Sequence, residues 1–281
     1  MRWALLADVH GNLEALRAVM RDLEDWPDHR LICAGDIVGY GPEPEACLDL
    51  LCEREATCVA GNHEAMVLGR LGFGRCVHAG IVAAVWTREH LSRGALDRLA
   101  ALPDVARPSS DLVVCHAALG EVERYVNCAQ VAEAALASVA RLFPRAELLI
   151  SGHTHSAAFH GESSDFSHVL PGAVASVASG HLQFVNPGSV GQPRDGVLLA
   201  RYARYDSATR TVTWRGVEYD AEPTLAKMRR ARLVPCVCYS FPQPWAERKL
   251  DAVRVRWARA RFQRLPPLSV SSTSTLRGGL T

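Results

Sequence analysis

The stretch WALLADVHGNLEALRAVM, residues 3–20, changes its periodicity halfway through. Residues 3–7 are an uninterrupted apolar run, read as a buried strand. Leu13, Leu16, Val19, Met20 and Leu23 then recur at the spacing of one helix face. Asn12 stands at the N-cap position, where its side chain can accept from an orphan amide of the first turn. Asp8, His10 and Gly11 lie between the two elements. The same strand–loop–helix unit repeats, with a strand over 30–34, a helix over 44–53 and a strand over 57–60. Such alternation predicts parallel strands joined by crossover helices, an α/β fold.

Further along, residues 64–102 read as mostly helical, and strands are expected at 112–115 and 148–151 around an alanine-rich helix over 129–142. The texture then turns to strands at 169–170, 182–185, 198–205 and 211–217 with no strong helix between them. Parallel and antiparallel strands are therefore expected in one domain, over residues 1–232. From 233 to 281 a basic C-terminal extension follows, ending in SVSSTSTLRGGLT, a composition that predicts disorder.

Composition narrows the function. The 281 residues are enough for a large core, and 48% hydrophobic with 22% charged is ordinary for a globular chain. A formal net charge of +1 gives no global attraction to nucleic acid or anionic membranes. No apolar run approaches the roughly 18 residues of a membrane span. The N-terminal apolar run meets Asp8 before reaching the roughly 7–15 residues of a signal core. The 9 cysteines, an odd and scattered set, predict free thiols and a cytoplasmic location. Cys236-Val237-Cys238 alone is weak evidence for a metal.

Five polar clusters each follow a predicted strand: Asp8-Val9-His10-Gly11-Asn12, Gly35-Asp36, Gly61-Asn62-His63-Glu64, Cys115-His116 and Gly152-His153-Thr154-His155. In an open α/β sheet the carboxyl ends of neighbouring strands share one crevice, so clusters far apart in sequence can meet there. Asp, His and Asn are O and N donors suited to divalent transition metals. One histidine after a strand is ordinarily a satisfied polar residue, and Asp36 alone could be a turn. Turn residues have no reason, however, to draw Asp, His and Asn together after five strands.

These motifs, D-x-H-G-N, G-D-x-x-x-x-G, G-N-H-E, a single His after a strand and G-H-T-H, resemble the calcineurin-like metallophosphoesterases. The later NPGSVGQPRDG, residues 186–196, is similar to their small bacterial phosphodiesterase branch. The resemblance implies a four-layer α/β sandwich, two mixed β-sheets flanked by helices, with two divalent ions at the strand ends. By position, Asp8, His10, Asp36 and His155 would bind one ion, and Asp36, Asn62, His116 and His153 the other. A hydroxide held between the ions would attack phosphorus, and His63 would protonate the leaving group. Manganese, or iron, zinc, nickel or cobalt, suits this donor set.

Two departures stand out. The protein phosphatase branch has an arginine in GDxVDRG, whereas residues 35–41 here read GDIVGYG; and Ala117 follows His116 where the family pattern has glycine. The expected activity is hydrolysis of nucleotide-like or other small phosphodiesters. A serine/threonine-type protein phosphatase or phosphomonoesterase, and a metal-binding scaffold, are the alternatives. Asn12, Tyr40 and Arg194 are the candidate substrate residues, with helix cap, packing and a salt bridge to Asp195 as their structural readings. The expected partner is a small phosphorylated molecule, without membrane or nucleic acid; a homo-oligomer stays open. For the C-terminal arginines a solvated helix face is favoured over nucleic-acid binding, because few aromatics are interleaved.

Overall fold

The computed structural model describes residues 1–161, 165–238 and 245–265. In chain order it forms β1 (Arg2–Leu6), α1 (Leu13–Asp22), β2 (His29–Cys33), α2 (Pro44–Glu53), β3 (Thr57–Cys58), α3 (Asn62–Val67), α4 (His78–His90) and α5 (Arg93–Ala100). There follow β4 (Val105–Ala106), β5 (Leu112–Cys115), α6 (Ala129–Leu142), β6 (Leu148–Ile150), β7 (Ala158–His160), β8 (Ser167–His168) and β9 (Val174–Ser176). The chain continues through β10 (Gln183–Asn186), β11 (Ala200–Asp206), β12 (Thr211–Val217), α7 (Glu222–Arg230) and α8 (Trp245–Arg264).

The strands make two mixed six-stranded sheets, ordered β3-β2-β1-β11-β12-β9 and β4-β5-β6-β10-β7-β8. Strand side chains alternate between faces, and the apolar run at residues 3–7 uses both. Trp3, Leu5 and Ala7 face the second sheet, in one core with its Val114, Ile150 and Val185 and with Trp214 of β12 beside them in the first sheet. Ala4 and Leu6 face outward, onto Leu16 and Val19 of α1 and Leu48 of α2. The second sheet repeats the arrangement, Val113, Leu149 and Phe184 packing outward on Ala132 and Val139 of α6. The result is a four-layer sandwich, helix–sheet–sheet–helix.

Helices 44–53 and 129–142 and strands 112–115 and 211–217 fall where the sequence places them. Residues 169–170 do not form the expected strand. Pairing ends at β8, the Val169 amide donates to Ala157 at 3.0 Å, and Leu170 is 72% exposed in the turn that follows. An apolar pair signals burial, but pairing needs a neighbour in register. The expected disordered tail, 269–281, lies outside the described residues. Leu233 and Val237 bury against Ala83 and Met228, so packing crosses the line that composition draws at residue 232.

A polar knot anchors α1 to the first sheet. Asp22 accepts the Tyr202 hydroxyl, Arg204 Nη2 at 2.9 Å and Arg215 Nη2 at 2.7 Å. Burial pushes this carboxyl up, but hydrogen bonds from Arg215 and Tyr202 outweigh it and hold it below its ordinary value. A depressed carboxyl adds stability above its unfolded pKa and loses it as pH falls through the folded one. Asp22→Asn is expected to cost about 2 kcal/mol at pH 7, a Tm loss of about 4–8 °C. The gap between wild type and variant should narrow in thermal melts as pH falls below the ordinary aspartate range and close once the folded carboxyl is protonated.

Candidate metal centre and active site

The loops after β1, β2, β3, β5 and β6 converge at one edge of the sandwich, and backbone bonds fix them to one another. The Asp8 amide donates to Gly35 at 3.0 Å, the His10 amide to Asp36 at 2.9 Å and the Gly152 amide to His116 at 2.8 Å. The His153 amide donates to both Asp8 carboxylate oxygens at 3.1 Å, joining the second sheet's loop to the first sheet's. Glu64 is the clasp beneath: its buried carboxylate accepts amides of Asp36 (2.9 Å), Val38 (3.0 Å) and Gly61 (2.7 Å). Burial nevertheless pushes that carboxyl up to about 7.

Asp8, His10, Asp36, His153 and His155 all have left-handed backbone, φ +53°, +50°, +52°, +66° and +57°. This turns each side chain inward where an extended residue would alternate away. Gly39 shows how close the loops come: at φ +90°, a Cβ there would sit 2.1 Å from His63 Nδ1.

Two groups of donors result. Single ligand atoms of Asp8, His10, Asp36 and His155 lie within 4.8 Å of one another, as do those of Asp36, His116 and His153. Asp36 belongs to both. Asn62 Oδ1 sits 3.0 Å from His116 Nε2, placing the amide oxygen beside the second group. All seven ligands expected from the sequence are therefore brought together, and all are buried. Ala117 is buried too, and its methyl leaves His116 in place, with Nδ1 at 2.8 Å from the Ala34 carbonyl.

The donor chemistry fits a cation. His10 Nδ1 lies 3.0 Å from the Val38 carbonyl and His155 Nδ1 2.6 Å from the Gln192 carbonyl. A carbonyl only accepts, so both protons are on Nδ1 and both lone pairs on Nε2. Those two Nε2 atoms face each other at 3.0 Å. Burial holds both imidazoles well below their ordinary pKa, so no shared proton bridges them. Two opposed lone pairs repel unless a cation sits beside both. In the second group burial works to lower His116, but Asp36, 3.3 Å away, outweighs it and raises the ring to about 9. Burial and the neighbouring His116 hold His153 down at about 3. A cation would displace the His116 proton, coupling metal uptake to proton release.

A cavity of about 270 Å³ opens over these ligands. Asp36, Asn62, His153 and His155 reach it, together with Tyr40, His63, Arg75, Cys76, Tyr125 and Arg194. His63 is buried with its Nδ1 unpartnered by any described protein atom, and desolvation lowers it to about 4. Tyr40 packs its ring 4.7 Å from both His10 and His63. Asn12 is not on the cavity wall: it accepts the Ala15 amide and Thr224 hydroxyl and donates to Gly191 and Tyr219, a buried helix cap. Asp195 binds Arg201 at 3.1 Å, while Arg194 Nη1 donates to the Tyr125 hydroxyl at 3.0 Å.

Sequence reading missed Tyr125 and Arg75. Tyr125 stacks on His153 at 4.4 Å and 23° while bonding Arg194, so it holds a ligand and a cation at once. Tyr125→Phe keeps the stack and removes the hydrogen bond to Arg194. It is expected to raise KM for a phosphoester about 3- to 10-fold with kcat little changed, measured by steady-state kinetics.

Buried Asp, His and Asn at the strand ends of an α/β sandwich, below a cavity whose wall carries Arg75, Arg194 and Glu123, define a metal-dependent phosphoester hydrolase. The chain belongs to the calcineurin-like phosphoesterase superfamily, whose domain model matches residues 1–210. An uncharacterised protein of Methanocaldococcus jannaschii is 30% identical over 235 residues, 82% of this chain and 93% of that one. The crystal structure of a metallophosphoesterase from Sphaerobacter thermophilus superposes with TM-score 0.70 at 34% identity, covering 83% of this chain and 95% of that chain. A hypothetical protein from Pyrococcus horikoshii shares the fold, with TM-score 0.64 at 18% identity over 83% and 94% of the two chains.

Proposed function

We propose that this chain is a phosphodiesterase for small, nucleotide-like substrates, working with two divalent ions. Asp8, His10, Asp36 and His155 would hold one ion; Asp36, Asn62, His116 and His153 would hold the other, with manganese, iron, zinc, nickel or cobalt as candidates. One observation carries the substrate class: the site lies in a cavity of about 270 Å³ flanked by Arg75 and Arg194. That volume suits a small molecule, and the arginines suit non-bridging phosphate oxygens.

When bound, the ions would supply positive charge to the phosphate and acidify a coordinated water. The chain's own groups do the rest. Asp36, shared by the two donor groups, would offer its carboxylate to both ions. Arg194, steadied by Tyr125, and Arg75 orient the phosphate from the wall. An anion beside His63 raises that ring's pKa from its depressed value, readying an N–H for the departing oxygen.

The nine cysteines, all free, fit a reducing cytoplasm, and among the described residues no helix is long and apolar enough to cross a membrane. The test is turnover by metal-stripped protein refilled with Mn²⁺, Ni²⁺ or Zn²⁺. Metal-dependent hydrolysis of bis-p-nitrophenyl phosphate above p-nitrophenyl phosphate and a phosphopeptide is expected. A preference for the phosphopeptide would establish the protein phosphatase alternative. No turnover with ions bound would leave a scaffold.

A further inference from the structure

Helix α8 lies beyond residue 210, where the family model ends. Val255, Ala258 and Phe262, spaced as one helix face, pack on Ile81 and Val85 of α4 and on Phe73 and Cys76 of the preceding loop. Phe262 is the centre of this contact. Its ring meets Phe73 edge-on at 5.0 Å, and the Arg88 guanidinium lies 4.9 Å from its centroid. Arg88 Nη1 also donates to the Val67 carbonyl at 3.1 Å, at the end of α3. Arg261 pairs with Glu89.

The loop held in this way, residues 68–77, carries Arg75, Cys76 and Val77 into the wall of the phosphoester cavity. It contains Gly69, Gly72 and Gly74, and a Cβ at Gly72 or Gly74 would meet no atom within 4 Å. Glycine-rich backbone with open surroundings has little to order it locally. Backbone bonds tie its start to α3, the Arg70 and Leu71 amides donating to Ala65 at 2.8 and 3.1 Å. Beyond Leu71 the position rests on side-chain packing, and for Phe73 that packing joins the main core to α8. Arg75 is itself exposed, so its place at the cavity follows from where this backbone is held.

We propose that α8 is a brace that fixes loop 68–77 against α4 and so positions Arg75 for the substrate phosphate, making the C-terminal helix a specificity element of the hydrolase. This rests on reading the cavity as the phosphoester site. Phe262 is then a positioning residue, acting through Phe73 on Arg75.

The experiment compares full-length wild type, Phe262→Ala, Phe262→Leu, Arg75→Ala and the Phe262→Ala/Arg75→Ala double variant. Two readouts are taken: kinetics on bis-p-nitrophenyl phosphate, and the iodoacetamide labelling rate of Cys76, with Cys58 as internal control. Phe262→Ala should raise KM about 5- to 10-fold with kcat within about twofold, matching Arg75→Ala, and the double variant should add nothing further. Cys76 labelling should quicken about tenfold at a constant Cys58 rate, and Phe262→Leu should restore most of both. Unchanged KM in Phe262→Ala overturns the proposal, whether or not labelling changes. A parallel rise in Cys58 labelling also overturns it, because the helix would then stabilise the whole fold. If wild type does not hydrolyse the diester, the phosphodiesterase reading fails, and constant Cys76 labelling would show that the brace fails independently.

Discussion

Asp36→Asn is expected to empty the centre and lower turnover about 10³-fold or more, from the several kcal/mol of charge stabilisation that a metal site supplies. Asp36 Oδ2 lies 3.7 Å from His10 Nε2 and 3.3 Å from His116 Nε2, one carboxylate serving both donor groups. Although burial works to raise it, His116 and His63 outweigh that and hold Asp36 well below its ordinary value, so it is ionised at neutral pH. The amide keeps the shape and can still accept the His63 backbone N–H, which Asp36 Oδ1 receives at 2.9 Å. Only the charge is removed, so a near-native circular dichroism spectrum should accompany the metal loss. Metal content by mass spectrometry decides the matter; full occupancy in Asp36→Asn would disprove the shared-ligand assignment.

His63→Ala should leave metal content intact yet slow the reaction about 10²–10⁴-fold for an alkoxide leaving group. For p-nitrophenolate, which departs without a proton, the loss should be far smaller. The ring belongs to neither donor group, and its backbone contact to Asp36 survives the substitution. Rates across a series of leaving groups provide the measurement. An equal loss across that series would show that His63 positions the substrate and does not deliver a proton.

The ligand set was legible because its seven members follow five strands, and parallel strands deliver their carboxyl ends to one place. Asp8, His10, Asp36, Asn62, His116, His153 and His155 needed only the order of strands and loops. The cavity wall was not legible. Tyr125 arrives from the loop before α6 and Arg75 from a glycine-rich loop before α4; neither has a local pattern that separates it from surface. Asn12 carried two readings, and the difference lay in Gly191, Tyr219 and Thr224, each more than 170 residues away in the chain. The packing of α8 did leave a trace, since Val255, Ala258 and Phe262 recur at helical spacing, but eleven Lys and Arg between 227 and 264 mask it. Edge strands β4, β8 and β9, two or three residues each, are too short to show a period of two.

The left-handed backbone at five of the seven ligands limits how this centre can change. Left-handed φ is comfortable for glycine and tolerable for Asn, Asp and His, but costly for β-branched residues. At positions 8, 10, 36, 153 and 155 the replacement alphabet is therefore set by the main chain before any metal preference applies. Asp and Asn can exchange, or His and Asn, with the loop intact; valine or threonine would strain the loop even where no ion is bound. Within Asp, Asn and His the loops keep their course whatever becomes of ion binding; outside that alphabet the loop itself is strained.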